Sequence, residues 1–101
     1  MSNRKYRLSF QAKQDLLAIF EFTITHWGEK QARIYAQQLS DGFEMLSDNP
    51  KVGKSRNELF ENAMSFVIGS HIVFYSINQN QENNIEVARI LHQSMDFQGQ
   101  F

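Results

Sequence analysis

The chain has 101 residues, of which 42% are apolar and 21% charged, and its formal net charge is −1. A chain this short forms one hydrophobic core, so we expect a single domain over residues 1–101. Leu, Ile, Val and Phe make up more than a quarter of the residues, which excludes intrinsic disorder as the main state. The absence of cysteine excludes disulfides and thiol catalysis.

The sequence carries no apolar run near the roughly 20 residues of a membrane span, and its first residues do not resemble a signal peptide. We therefore expect a cytoplasmic protein with no membrane partner. Its three His are too scattered to form a recognised metal motif, so no metal and no cofactor is expected. Lys and Arg are concentrated in residues 1–13 and 51–56, which indicates either a recognition surface or a solvated arm and loop.

The first half of the chain predicts a strand followed by a helical hairpin. Residues 5–9 alternate polar with apolar, and Ser9 is a suitable helix N-cap. From Gln11 the apolar residues recur at spacings of three and four, which predicts a well-buried helix as far as Trp27, with Trp27 in the core. A glycine separates it from a second helix that ends at Asp48, before an Asn-Pro pair.

The second half predicts three strands, over residues 65–68, 71–78 and 85–91. A Gly-Ser turn joins the first two, and the amide-rich segment 79–84 joins the last two. The element order is therefore β-α-α-β-β-β. We expect an α+β fold in which a small antiparallel sheet has a helical hairpin packed on one face.

The strand over residues 71–77 is apolar on both of its faces, so both should be covered. One helical hairpin covers only one face. The face that carries Ile72 and Phe74 needs another cover: the C-terminal tail with Met95, Phe97 and Phe101, a twin subunit, or a binding partner.

An ordered set of short motifs spans almost the whole chain and resembles the ParE toxins of bacterial type II toxin–antitoxin modules, within the ParE/RelE superfamily. The most specific motifs are the strand Gly69-Ser70-His71-Ile72-Val73-Phe74-Tyr75 and the ending Arg89-Ile90-Leu91-His92 with Met95-Asp96. The others are Tyr6-Arg7-Leu8-Ser9, Ala12, Asp15-Leu16, Trp27-Gly28, Gln31-Ala32, Asn49-Pro50, Gly53-Lys54 and Phe66.

This resemblance implies the ParE/RelE toxin fold and a cytoplasmic toxin of the kind that maintains plasmids or prophages. It further implies a ParD-like antitoxin in a hetero-oligomeric complex, so that operator DNA is contacted only through the antitoxin. ParE proteins are known as inhibitors of DNA gyrase rather than as hydrolytic enzymes. The resemblance therefore implies gyrase as the target and no catalytic residues.

Two alternatives stay open. A RelE-like, ribosome-dependent mRNA endoribonuclease needs acid–base groups and cations around the phosphate. Against this, Met64 stands near where nucleases of the superfamily commonly use an arginine. The other alternative is a toxin with reduced activity that acts mainly as an antitoxin partner. Lys54 stands where the family commonly has an arginine, and a lysine cannot form arginine's paired hydrogen bonds to a phosphate or carboxylate.

The candidate site residues fall into two sets, and we expect neither to be catalytic or to hold a metal. We expect His92 to cap the tail or to bond a carbonyl, and we expect His71 to be solvated at the surface. The set expected to contact the target is Lys51, Lys54, Arg56, Arg89, His92, Met95 and Phe97. The set expected to contact the antitoxin is Arg4, Arg7, Lys54, Arg56, Ile72 and Phe74.

Overall fold

The computed structural model describes residues 6–78 and 85–101, so Arg4 and the predicted turn 79–84 lie outside the described residues. Within the described residues the fold consists of two α-helices and five strands, with short 3₁₀ turns at Pro50–Val52 and Phe97–Gln100. The elements in chain order are β1 (Tyr6–Leu8), α1 (Phe10–Trp27), α2 (Glu29–Asp48), β2 (Lys54–Ser55), β3 (Met64–Ile68), β4 (His71–Ile77) and β5 (Ile85–His92).

The five strands form one sheet in the order β1-β5-β4-β3-β2. The predicted α+β fold with a helical hairpin on one face is confirmed, with two differences. The sheet is mixed rather than antiparallel, because β1 pairs with β5 in parallel. It also contains β2, whose two residues are too few to show an alternating pattern.

Ser9 starts α1 and also ties that helix to the sheet. Its Oγ accepts a hydrogen bond from the Ala12 N–H at 3.0 Å, which caps the helix as predicted. The same hydroxyl donates to the Ala88 carbonyl of β5 at 2.7 Å. The helix ends at Gly28, whose φ of 91° favours glycine and lets α2 begin at the next residue.

The helical hairpin contributes to the core mainly through α2, with Leu39, Phe43 and Leu46 packed against the sheet. In α1 only Ala12 is fully buried, and Trp27 is 71% exposed. The predictions that α1 is well buried and that Trp27 lies in the core were therefore wrong. Apolar residues lie on nearly every side of α1, so the spacing could not show which side meets the sheet.

Gly42 of α2 packs closely against Ile68 of β3. A Cβ at this position would collide with the end of the Ile68 side chain, so that side chain would have to move to accommodate any other residue.

The opposite face of the sheet is covered by the chain's own tail, one of the three covers that the sequence left open. Ile72 and Phe74 are buried there, beside Leu91. The rings of Phe97 and Phe101 have centroids 5.2 and 5.1 Å from that of Phe74. The two apolar faces of β4 are thus both filled within one chain.

Candidate functional site

The basic loop (residues 51–56) and the C-terminal tail (residues 93–101) meet through Arg56. Its guanidinium lies 5.1 Å from the centre of the Phe97 ring, within the range of a cation–π contact. Its Nε donates to Ser65 Oγ at 3.1 Å, and Nη1 lies 3.2 Å from Glu58 Oε2. With four-fifths of its side chain covered, Arg56 is held in place and joins the loop to the tail.

The loop before β2 is fixed by a buried tyrosine. The Tyr75 hydroxyl donates to the Pro50 carbonyl at 2.7 Å and accepts from the Gly53 N–H at 3.1 Å. Burial raises the pKa of Tyr75, which keeps the hydroxyl protonated as a donor. The loop therefore presents Lys51 and Lys54 to solvent from a rigid support.

Lys54 pairs with Ser65 across the sheet, and residues paired in this way point to the same face. Ser65 also receives the Arg56 hydrogen bond and pairs with Phe74 of β4, so the two basic side chains lie on the face that the tail covers. We call the surface formed by Lys54, Arg56, Phe97 and Phe101 the tail–loop surface. Phe101 is 42% exposed on it, so the surface combines positive charge with an accessible apolar group. Met95, also expected to contact the target, is 43% exposed in the tail turn, where its N–H donates to the His92 carbonyl at 2.9 Å.

Arg89, predicted to contact the target, is instead bound within the fold. Its Nε and Nη2 donate to the two carboxylate oxygens of Asp15 at 2.8 and 3.0 Å. The Ile90 N–H donates to the same carboxylate at 2.9 Å. Both side chains are about 15% exposed, so Arg89 joins α1 to β5 and is not presented to a target.

His71 and His92 form a separate cluster at the β3–β4 turn. His71 is half-buried rather than solvated as expected, and its Nδ1 lies 2.6 Å from the hydroxyl of Tyr35 on α2. The rings of His71 and His92 meet edge-on with centroids 5.3 Å apart. His92 Nδ1 accepts from the Ser94 N–H at 3.1 Å, so His92 caps the tail turn as expected.

The environment of His71 makes stability depend on pH. Burial, and then the neighbouring His92, lowers the pKa of His71 below its ordinary value of 6.5, while Asp15 opposes the shift. The unfolded chain therefore binds the proton more readily, and the free energy of unfolding should fall as the pH drops below 6.5. The free energy of unfolding stops falling once the pH is below the pKa that His71 has in the folded chain.

We expect His71→Asn, which retains a polar atom near the Tyr35 hydroxyl, to lose less stability than the wild type between about pH 8 and pH 5. Urea unfolding of both proteins across this range measures the difference. Equal losses in the two proteins would show that His71 does not contribute to the pH dependence.

The basic and imidazole groups do not converge on one point. Lys54 lies on β2 and His92 on β5, so three inter-strand steps separate them across the sheet. Along the strands they are offset by three residues, because Lys54 pairs with Ser65 of β3, whereas His92 pairs through His71 with Ile68 of β3. Strand spacings of about 4.8 Å and rises of about 3.3 Å separate the two backbones by about 17 Å. Over residues 6–78 and 85–101, no three His, Asp or Glu side chains are grouped as a metal site would require.

Of the residues expected to contact an antitoxin, Arg7 is exposed, with a loose ion pair to Glu86 at 3.6 Å. Lys54 and Arg56 belong to the tail–loop surface, and Arg4 lies outside the described residues. Ile72 and Phe74 are buried under the tail, so a partner would reach them only by displacing it. Neither helix is long and apolar enough to cross a membrane, as judged over the described residues.

Comparison with known proteins matches residues 6–97 to the family model described as "ParE toxin of type II toxin-antitoxin system, parDE". The chain is 37% identical to Toxin ParE1 of Caulobacter vibrioides, over 92% of this chain and 93% of that protein. It is 35% identical to Toxin ParE1 of Mycobacterium tuberculosis, over 95% of each.

A solved structure, titled "Chromosomal ParDE TA system from P. aeruginosa", superposes with a TM-score of 0.72 at 16% identity. That alignment covers 90% of this chain and 98% of the other, which supports the fold. The sequence matches extend over nearly the full length of each relative, and the family match runs from the start of β1 to Phe97. The chain therefore belongs to the ParE toxin family and is the toxin of a type II toxin–antitoxin module.

Proposed function

We propose that this toxin acts by binding, without performing chemistry, and that its target is DNA gyrase. The observation that carries the proposal is the contact of Arg56 with Phe97, which joins the basic loop and the apolar tail into one tail–loop surface. Cations beside accessible apolar side chains suit a protein bound to DNA, because each group recognises a different part of that complex.

The geometry gives less support to cleavage of RNA. Such chemistry needs an acid–base group within hydrogen-bonding reach of the reacting atoms and cations around the same phosphate. In this chain Arg89 is engaged by Asp15, and Lys54 lies about 17 Å from His92 by strand geometry. The candidate groups thus do not share one substrate position.

We further propose that a ParD-like antitoxin neutralises the toxin by direct binding along the helical hairpin. A small apolar hollow lies between the two helices and is lined by Leu16 and Phe20 of α1 and by Ala36 of α2. The apolar side chains around it offer a surface on which an amphipathic helix or an extended apolar segment would rest. A partner that continues from the hairpin to the opposite face of the sheet would place acidic residues against the exposed bases there, Arg7 and Lys54, which mainly sets the association rate.

Charge reversal on the loop tests the tail–loop surface. We expect Lys51→Glu with Lys54→Glu to weaken inhibition of gyrase supercoiling by about tenfold or more, since a favourable charge becomes a repulsive one. Both lysines are exposed and form no ion pair within the described residues, so the fold should be unaffected.

Lys30→Glu is the matched control, because it makes the same kind of charge change at the far end of α2, about 30 Å along the helix axis from the loop. It should inhibit gyrase as the wild type does. Equal inhibition by all variants would remove the loop from the target surface. Cut messages in primer extension, with gyrase unaffected, would favour the endoribonuclease instead.

A further inference from the structure

The outer side of α1 carries an apolar stripe with no partner among the described residues. Phe10, Leu17 and Ile24 are spaced by seven residues and are 75%, 53% and 39% exposed. Seven residues are close to two helical turns, so the three side chains lie in one line. Ala12, which is buried against the core, lies on the opposite side of the helix.

The charges beside this stripe are arranged symmetrically about its middle. Lys13 stands four residues before Leu17, and Glu21 stands four residues after it. Both side chains are exposed, and neither forms an ion pair within residues 6–78 and 85–101. The stripe therefore has a positive side chain toward one end and a negative one toward the other.

This arrangement is complementary to itself. If two copies of α1 run antiparallel about a two-fold axis at Leu17, Phe10 of each copy faces Ile24 of the other, and each Lys13 faces a Glu21. A parallel pairing would instead oppose like charges, which is unfavourable. The charges thus select one orientation, and that orientation has the two-fold symmetry of a closed homodimer.

We infer that the stripe on α1 is a homodimer interface and that its occupant is a second copy of this chain. The stripe from Phe10 to Ile24 is about 21 Å long, so the contact is small and the dimer is weak. Its dissociation constant should lie in the micromolar range. The tail–loop surface lies on the far face of the sheet and stays accessible in such a dimer.

Cysteine cross-linking tests the two-fold axis directly, because the chain has no cysteine of its own. In the dimer the two Leu17 side chains face each other, so Leu17→Cys should form a covalent dimer under mild oxidation. Ile34→Cys is the matched control, at a residue of α2 that is 51% exposed. We expect cross-linking at position 17 to be about tenfold faster or more, through the higher local concentration.

Charge exchange tests the orientation. By sedimentation equilibrium of the purified full chain, Lys13→Glu and Glu21→Lys should each raise the dimer dissociation constant by about tenfold. The double variant should restore it, since the opposite charges meet again in exchanged positions.

Three results would overturn the inference. One is a double variant as weak as either single variant, and another is a Leu17→Cys protein that cross-links no faster than Ile34→Cys. A chain that stays monomeric across the micromolar range, with the stripe shielded only by an added antitoxin, would also contradict it and assign the stripe to that partner. None of these readouts depends on the identity of the toxin's target.

Discussion

Asp15→Ala is expected to lower the free energy of unfolding by about 3 kcal/mol. The Asp15 carboxylate accepts both Arg89 hydrogen bonds and the Ile90 N–H, at 2.8 to 3.0 Å. Its removal leaves an arginine and a backbone donor without partners where water has little access, because both side chains of the pair are about 15% exposed. Removing one member of a covered ion pair costs more than the pair itself contributes.

Urea unfolding measures this loss, with Asp41→Ala as the control. Asp41 is an exposed carboxylate on α2 that accepts a hydrogen bond from the Gln37 side chain at 2.8 Å. Its replacement should change the free energy of unfolding by about 0.5 kcal/mol or less. If Asp15→Ala were no more destabilising than Asp41→Ala, Arg89 would be free to contact a target, and its structural assignment here would be wrong.

Removing residues 93–101 is the other change with a large expected effect, about 3 kcal/mol of unfolding free energy. The deletion uncovers Phe74, which is fully buried beneath Phe97 and Phe101. It also removes the ring that lies against the Arg56 guanidinium. In a domain of this size the loss corresponds to a fall of about 15 °C in melting temperature.

Phe101→Ala separates the two contributions of the tail. Because Phe101 is 42% exposed, its replacement should cost about 1 kcal/mol and leave Phe97 in place over Phe74. Loss of growth inhibition in this variant, with cooperative melting retained, would assign the exposed end of the tail to the target. A deletion of residues 93–101 that melts like the wild type would show that the tail does not cover the sheet.

Local patterns were enough to predict much of the fold. Ser9 caps α1 because its side chain and the helix start are adjacent in sequence, and Gly28 ends that helix for an equally local reason. The alternation in β4 showed that both faces of the strand are apolar, and both are buried. The remaining question was which of three covers fills the second face, and alternation carries no information on that.

Contacts between distant residues could not be predicted in this way. Asp15 and Arg89 are separated by 74 positions, so neither spacing nor composition links them, although each lies in a motif that resembles the family. The Tyr35 contact with His71 spans 36 positions and changes a surface histidine into a half-buried one. Trp27 was assigned to the core from its spacing alone, but α1 is apolar on more sides than the core can cover.

The proposed function has two parts: the toxin inhibits gyrase by binding, and its antitoxin neutralises it by direct binding. A supercoiling assay with the purified full-length chain, repeated with increasing amounts of the cognate antitoxin, tests both parts together. We predict that the chain stops supercoiling and that a stoichiometric amount of antitoxin restores it. Unchanged supercoiling at chain concentrations well above those of the enzyme would contradict the account.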